Sequence, residues 1–374
     1  EKTGGQALIV LPLGVKQEFK RDAVELLGMD EPQYVRTMQE VKSVTGNILL
    51  TNYERVRDGD IDPTYFTSTS LDEAAVLRSF GSKTYQTFLD KFKGVPYKLV
   101  NTATPSPNKY KELIHYAGYL EIMDTGQALT RFFKRDSTKA NNLTLYPERE
   151  DEFWVWLSSW ALFITKPSDL GYDDTGYDLP PMDIRYHCLK SDSYTEDRDG
   201  QFDIIKDKNL SLQQCAAEKR NSMADRIRKA KKIIDSSPDD NFIIWHDLEN
   251  ERHEIKKQIP GVVDIYGSQD YDLREKRVID FQNGKTRLFA TKKQLSGSGC
   301  NFQKYCHRAI FIGIDYEFND FIQAIHRIYR FMQSERVIID IIYTENEQGI
   351  LEVLLQKWEQ HRYLTQKMTD IIKK

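Results

Sequence analysis

An apolar stretch, Thr69–Leu71, ends in two adjacent carboxylates, Asp72 and Glu73. Such a pair suits nucleotide hydrolysis: the aspartate holds Mg²⁺, directly or through water, and the glutamate orients and deprotonates the attacking water. The same two residues also suit a helix start, where the backbone dipole favours acidic side chains. Further on, the stretch Leu99–Pro105 closes an apolar run in Thr102 and Thr104. Hydroxyls there can sense phosphates or the acidic pair, or simply mark a strand-to-turn transition stopped by Pro105. Far downstream, Arg327 and Arg330 lie three residues apart behind Gln323, so on a helix they project from one face. Two guanidiniums there can neutralise the charge that develops on a transferring phosphoryl group, an effect of roughly 10³–10⁵ in turnover for arginine fingers. A solvated basic helix face is the alternative.

Elements that position these residues follow from hydrophobic periodicity. Short apolar runs alternate with longer amphipathic segments, the pattern of α/β architecture with largely parallel sheets. Strands are expected at Ala7–Leu11, Ile48–Thr51, Thr69–Leu71 and Tyr97–Thr102, with helices near Val15–Leu27 and Tyr85–Phe92. A more helical stretch follows from 109 to 165, and the Asp-, Gly- and Pro-rich segment 166–181 reads as a connector. The second half repeats the alternation, with strands at Ile184–Leu189, Phe242–Trp245, Val262–Ile265, Arg287–Ala290, Ala309–Ile312 and Val337–Ile342. Helices are expected at Leu212–Ile234, Leu273–Phe281 and Phe318–Phe331, and the tail from Gln348 carries apolar residues at helical spacing. The expected division is 1–185, a lobe with a helical insertion at 109–165; 186–345, a second lobe; and 346–374, a terminal helix, with the boundary somewhere between 170 and 215.

Composition bounds the rest. A content of 40% hydrophobic and 29% charged residues is that of a soluble globular protein. The formal charge of −4 gives no global sign of a polyanion partner, so nucleic-acid contacts must be local. The run Phe153–Ile164 is too short to span a membrane and reads as a buried helix. Four cysteines without C-x-x-C spacing argue against zinc or a disulfide framework and fit a reducing, cytoplasmic setting.

The ordered set resembles motifs II, III and VI of superfamily 2 helicases, and the intervening motifs fall into place. Ala7–Val15 is similar to motif Ia, Leu50–Glu54 to the Swi/Snf form of motif Ib, and Ile243–His246 to motif IV. Thr291–Lys293 followed by Gly297-Ser298-Gly299-Cys300-Asn301 resembles the Swi/Snf form of motif V. The pattern is most like bacterial and phage helicases of this branch. The resemblance implies two tandem RecA-like domains, each a mainly parallel sheet flanked by helices, that clamp ATP between them and move along duplex DNA without reading its sequence. It implies that Asp72 and Glu73 serve Mg²⁺ and water activation, and that Gln323, Arg327 and Arg330 reach the ATP from the second lobe. Thr102 and Thr104 would couple nucleotide state to lobe movement, and Pro12, Thr51, Asn52, Trp245, Gly297, Gly299 and Asn301 would line the DNA track. Met332 departs from the motif VI pattern, which has Gly there. That change is expected to alter the local turn and not the arginines.

One part of the motor is missing. The chain contains no G-x-x-x-x-G-K-[ST] phosphate loop. Gly81-Ser82-Lys83-Thr84 follows the acidic pair instead of preceding it, and Gly284-Lys285-Thr286 lacks the first Gly, which Ile279 replaces. The loop is therefore expected upstream of Glu1, in a further segment or a separate polypeptide. Two other functional classes stay open: a non-catalytic DNA-binding scaffold derived from a helicase, and an RNA helicase. Other features carry less. Asp58, Asp60 and Asp62 lack the Glu of a calcium loop, His246 fits a strand end as well as a DNA contact, and the basic run Arg226–Lys232 reads first as a solvated helix face.

Overall fold

The computed structural model describes residues 4–78, 81–106, 109–135, 143–191, 210–296 and 300–372. Two units emerge, one comprising Glu1–Thr165 with Tyr363–Lys374, the other Lys166–Arg362.

In the first unit, strands β1 (Ala7–Leu11), β2 (Gln33–Tyr34), β3 (Ile48–Asn52), β4 (Ser68–Leu71) and β5 (Tyr97–Val100) form one parallel sheet in the order β2-β3-β1-β4-β5. Leu8, Val10, Leu49, Leu50 and Leu71 are fully buried, as parallel strands covered on both faces require. An antiparallel hairpin, β6 (Phe133–Arg135) and β7 (Leu143–Leu145), had no signal in the periodicity. The helix Glu150–Ser158 buries Phe153, Trp154 and Leu157, so these aromatics are core, whereas Leu162 and Ile164 beyond its end are exposed.

In the second unit, β8 (Met182–Leu189), β9 (Phe242–His246), β10 (Val263–Asp264), β11 (Leu288–Lys292), β12 (Arg308–Phe311) and β13 (Val337–Thr344) form a second all-parallel sheet, ordered β10-β11-β9-β12-β13-β8. Because β8 pairs with β13 over its whole length, residues 166–185 belong with the second unit and not the first. The terminal helix Gln348–Ile372 is also divided: Ile350, Leu351 and Leu354 belong to the core of the second unit, Leu364 and Met368 to that of the first.

Two helical expectations are corrected. The basic helix expected over Leu212–Ile234 is two helices, Leu212–Asn221 and Met223–Asp235, broken at Ser222. The Ser222 hydroxyl donates to the Glu218 carbonyl at 2.6 Å and accepts from Arg226 Nε at 2.6 Å, the local side-chain bonding that competes with helix continuation. The helix expected over Phe318–Phe331 stops at Ile325. Arg327 and Arg330 therefore follow it in a series of turns closed by bonds such as Arg327 N–H to the Ala324 carbonyl and Gln333 N–H to the Arg330 carbonyl. Among the described residues, no helix is long and apolar enough to cross a membrane.

Candidate functional site

Every backbone group inside a parallel sheet is committed to the ladder, so chemistry concentrates past the carboxyl ends of the strands. In the first unit, register places Leu11 beside Asn52, Val10 beside Leu71, and Leu71 beside Val100. Pro12, Asn52, Asp72 and Asn101 consequently stand along one edge. The Asp72 N–H donates to the Val10 carbonyl at 2.8 Å and extends the ladder by one bond. Glu73 then turns the chain with φ of +50°, a left-handed conformation that costs a glutamate about 1–3 kcal/mol. A five-residue 3₁₀ helix, Ala74–Arg78, follows. The acidic pair thus ends a strand at a strained turn and does not begin an α-helix.

Burial pushes the Asp72 carboxyl above its usual range, partly countered by the Glu73 N–H, which hydrogen-bonds the carboxylate. A carboxylate of this kind is one oxygen ligand of the type that Mg²⁺ takes. Among the described residues no group of three His, Cys, Asp or Glu side chains is arranged to hold a metal ion, so most ligands would be water and phosphate oxygens. That is the usual Mg²⁺ pattern at nucleotides.

Asn101 binds the acidic turn to the Thr102–Thr104 segment. Its N–H donates to the Leu71 carbonyl at 2.8 Å, its carbonyl accepts from Ala74 N–H at 3.0 Å, and its side-chain amide donates to Ser70 Oγ at 2.9 Å. Thr102 Oγ1 accepts from Thr104 N–H at 3.3 Å, and Thr104 is fully buried. Arg78 Nε donates to the Ala75 carbonyl at 3.2 Å, while His115 Nδ1 lies 2.6 Å from the Arg78 carbonyl. The acidic turn and the Thr102–Thr104 segment are therefore joined through Asn101 within one unit.

The expected nucleic-acid contacts are placed less uniformly. Pro12 is half-buried at the end of β1, and its carbonyl accepts from Val15 N–H at 2.9 Å. Thr51 is fully buried and its hydroxyl donates to the Val35 carbonyl at 2.9 Å, so its side chain is turned away from any ligand. Asn52 is nearly buried, accepting from the Tyr34 hydroxyl at 2.9 Å and donating to Glu54 at 2.5 Å.

In the second unit, Trp245 is 1% exposed and packs against Phe311. The expectation that its ring lines a DNA track is corrected here: the residue faces the core because β9 is a central strand buried on both faces. Gly297 and Gly299 lie outside the described residues. Asn301 does not: its buried Oδ1 has no hydrogen-bond partner among the described residues. Gln323 is half-buried on the helix Phe318–Ile325. Arg327 is 7% exposed and donates to the Cys300 carbonyl at 3.3 Å, which ties the turn after that helix to the Cys300–Asn301 segment. His326, between the two, is pushed down to about 4 by burial, then by His361, Arg327 and Arg330. Met332, where the motif has Gly, has φ of +67°. That is a left-handed conformation that glycine adopts most readily.

Sequence reasoning missed a set of buried charges at the carboxyl edge of this second sheet. Lys293, 2% exposed by side chain, lies 2.9 Å from Asp247 and 2.9 Å from Asp315. Lys219 bonds Asp247 as well and lies 3.6 Å from Asp315. Burial alone would raise the Asp247 carboxyl, but Lys293 and Lys219 together hold it far below the usual range. Burial would lower Lys293, and Asp247 and Asp315 reverse it. Arg226, inside the run read as a solvated face, is fully buried against Glu347 at 2.6 Å, with Nη1 donating to the Ile312 carbonyl at 3.0 Å. Such a signal is faint in sequence: one charged residue directly after each apolar run.

No family profile matches the sequence, and no curated protein does. Solved structures do match in fold. S. cerevisiae Dbp5 bound to RNA and ADP BeF3 superposes with a TM-score of 0.57 at 11% identity, covering 98% of this chain and 82% of that one. A Dbp5 variant bound to a Gle1 variant and IP6 gives a TM-score of 0.52 at 12% identity, covering 100% of this chain and 82% of that one. At such identities the likeness is one of fold: two tandem RecA-like domains, each a parallel sheet flanked by helices.

Proposed function

We propose that this chain is the motor portion of an ATP-dependent nucleic-acid translocase or helicase of superfamily 2, of the Swi/Snf branch, acting on DNA. The observation that carries the reading is the acidic turn. Asp72 and Glu73 stand past the end of a parallel strand flanked on both sides, the glutamate in a strained conformation, with Asn101, which precedes Thr102, hydrogen-bonded to the same edge. Strain of this kind persists where the surrounding structure enforces it, and it concentrates at active sites.

Each residue then has a part. Asp72 would hold Mg²⁺, whose charge offsets that of the phosphates. Glu73 orients the attacking water and takes its proton. Arg327 and Arg330 supply positive charge to the transferring phosphoryl group, and Gln323 assists from the same helix end. Thr102 and Thr104 report nucleotide state through Asn101 to the rest of the sheet. Nucleic acid is held through backbone groups near Pro12 and Asn52 and through the Gly297–Asn301 segment, contacts that carry no sequence information. These 374 residues contain no phosphate-loop motif, so by themselves they are expected to turn over ATP negligibly.

The test is ATP hydrolysis by the full-length protein, with and without duplex DNA or RNA. Stimulation by duplex DNA is expected, with Glu73→Gln abolishing turnover while sparing nucleotide binding. Unimpaired hydrolysis by Glu73→Gln would refute the assignment. Preferential stimulation by RNA would favour the RNA-helicase reading, toward which the RNA-bound Dbp5 structure points. Triplex displacement without fork separation would identify a translocase.

A further inference from the structure

The residue beside the expected motif Ib pair does something its position in sequence does not suggest. Tyr53 opens the short helix Tyr53–Asp58, and its ring stacks on the fully buried Phe88 with centroids 5.6 Å apart. From there its hydroxyl donates to the main-chain carbonyl of Asp72 at 2.6 Å. That carbonyl and the Glu73 N–H are opposite ends of one planar peptide. The N–H end hydrogen-bonds the Asp72 carboxylate, and the next torsion is the left-handed φ of Glu73, +50°. Fixing the carbonyl fixes the plane. The plane in turn sets both the bond that orients the Asp72 carboxylate and the conformation that aims Glu73.

We propose that Tyr53 is a positioning residue for hydrolysis: its phenol locks the Asp72–Glu73 peptide so that both carboxylates are held in working orientation. The proposal rests on the reading of Asp72 and Glu73 as the metal and water residues. The Asp72 carbonyl oxygen can only accept, so the Tyr53 hydroxyl is the donor of this bond. Without it, the strained φ at Glu73 loses one of its restraints, and the peptide can rotate toward a relaxed turn.

The experiment compares the full-length protein with its Tyr53→Phe variant, which keeps the ring stacked on Phe88 and removes only the hydroxyl. ATP turnover is measured against ATP and against Mg²⁺, alongside the thermal midpoint. Expected for Tyr53→Phe is a fall in kcat of about three- to tenfold, the worth of one hydrogen bond, with a rise in the Mg²⁺ concentration at half-maximal rate. KM for ATP should stay at its wild-type value, and the thermal midpoint should fall only by the few degrees that one buried hydrogen bond is worth. An unchanged kcat and Mg²⁺ requirement would overturn the proposal. So would a larger fall in the thermal midpoint with kcat and KM changing together, which would make Tyr53 a packing residue. A wild type that hydrolyses no ATP would instead refute the motor reading itself, and the role of Tyr53 with it.

Discussion

His246 makes the second unit sensitive to mild acid, and the size of the effect follows from its position. It ends β9, is 1% exposed, and is pushed down to about 4, chiefly by burial and further by Lys292, against the opposing pull of Asp247. In the unfolded chain a histidine titrates near about 6.5. The folded value lies below the unfolded one, so the unfolded state binds more protons between the two. Stability is therefore full above about pH 6.5 and falls as pH drops toward 4. The difference corresponds to about 3 kcal/mol once both forms are protonated, and about 2 kcal/mol is already lost at pH 5. Glu251 acts in the opposite direction, because burial, with Asp247, raises its carboxyl and favours the folded state as acid is added. The measurement must therefore be a difference. Denaturant unfolding at pH 7 and pH 5, read through amide exchange in β9 so that only the second unit reports, is compared for the native chain and for His246→Phe and His246→Gln. Both replacements should be less sensitive to this pH step by about 2 kcal/mol, whatever each does to stability at pH 7. Equal pH sensitivity in all three proteins would show that His246 is not held neutral by burial, and the reasoning would fail.

Met332→Gly should stabilise the second unit by about 0.5–1 kcal/mol, because the residue holds φ of +67° while 64% exposed and glycine adopts that conformation without strain; a loss of stability in denaturant unfolding would contradict this. Glu73→Gly should likewise raise the stability of the first unit by about 0.5–1 kcal/mol while removing ATP turnover from the full-length protein, and retention of turnover would exclude Glu73 as the base. Lys293→Met should cost about 3–5 kcal/mol by leaving Asp247 and Asp315 short of a buried partner, and a change near zero would mean that Lys219 alone satisfies both. Leu364→Ala, at a fully buried position in the first unit's core, should cost about 2–5 kcal/mol. That loss should appear in amide exchange of the helix Glu150–Ser158, and an effect confined to the second unit would contradict the packing.

What was legible in the sequence was whatever depends on near neighbours. The nine strands β1, β3, β4, β5, β9 and β11–β13 with β8 begin and end within a few residues of their apolar runs, because period and composition are local. Proline and glycine marked the turn after Leu99-Val100 and the connector after Lys166 for the same reason. What failed depended on partners far away in the chain. Arg226 looked solvated because its counter-ion, Glu347, stands 121 residues later. The helix break before it is a local exception: Ser222 is a tolerable helix residue until its hydroxyl is committed to Glu218 and Arg226, each four residues away. Trp245 looked available because a sequence does not say that β9 has β11 on one side and β12 on the other. Thr51 was misjudged similarly: its hydroxyl partner belongs to Val35, next to a two-residue strand too short to be seen.

The same consideration explains why candidate chemical residues stand out in the sequence more readily than the residues that hold them. A strand buried on both faces admits mostly apolar side chains, with paired exceptions such as Arg308 and Asp340, so charge is carried most readily at and just past its carboxyl end. Asp72 after Leu71, Asp247 after His246 and Lys293 after Lys292 all occupy that position. In the first unit burial holds the Asp72 carboxyl above its usual range, against the opposing Glu73 N–H. In the second they neutralise one another, with Asp247 held far below its usual range by two lysines. A carboxylate that a cation would relieve is poised for catalysis, whereas one already satisfied fixes a strand end in place. That contrast separates two kinds of acidic strand end that look alike in sequence, and it is the ground on which Asp72 and Glu73 are proposed for hydrolysis and Asp247 and Asp315 for architecture.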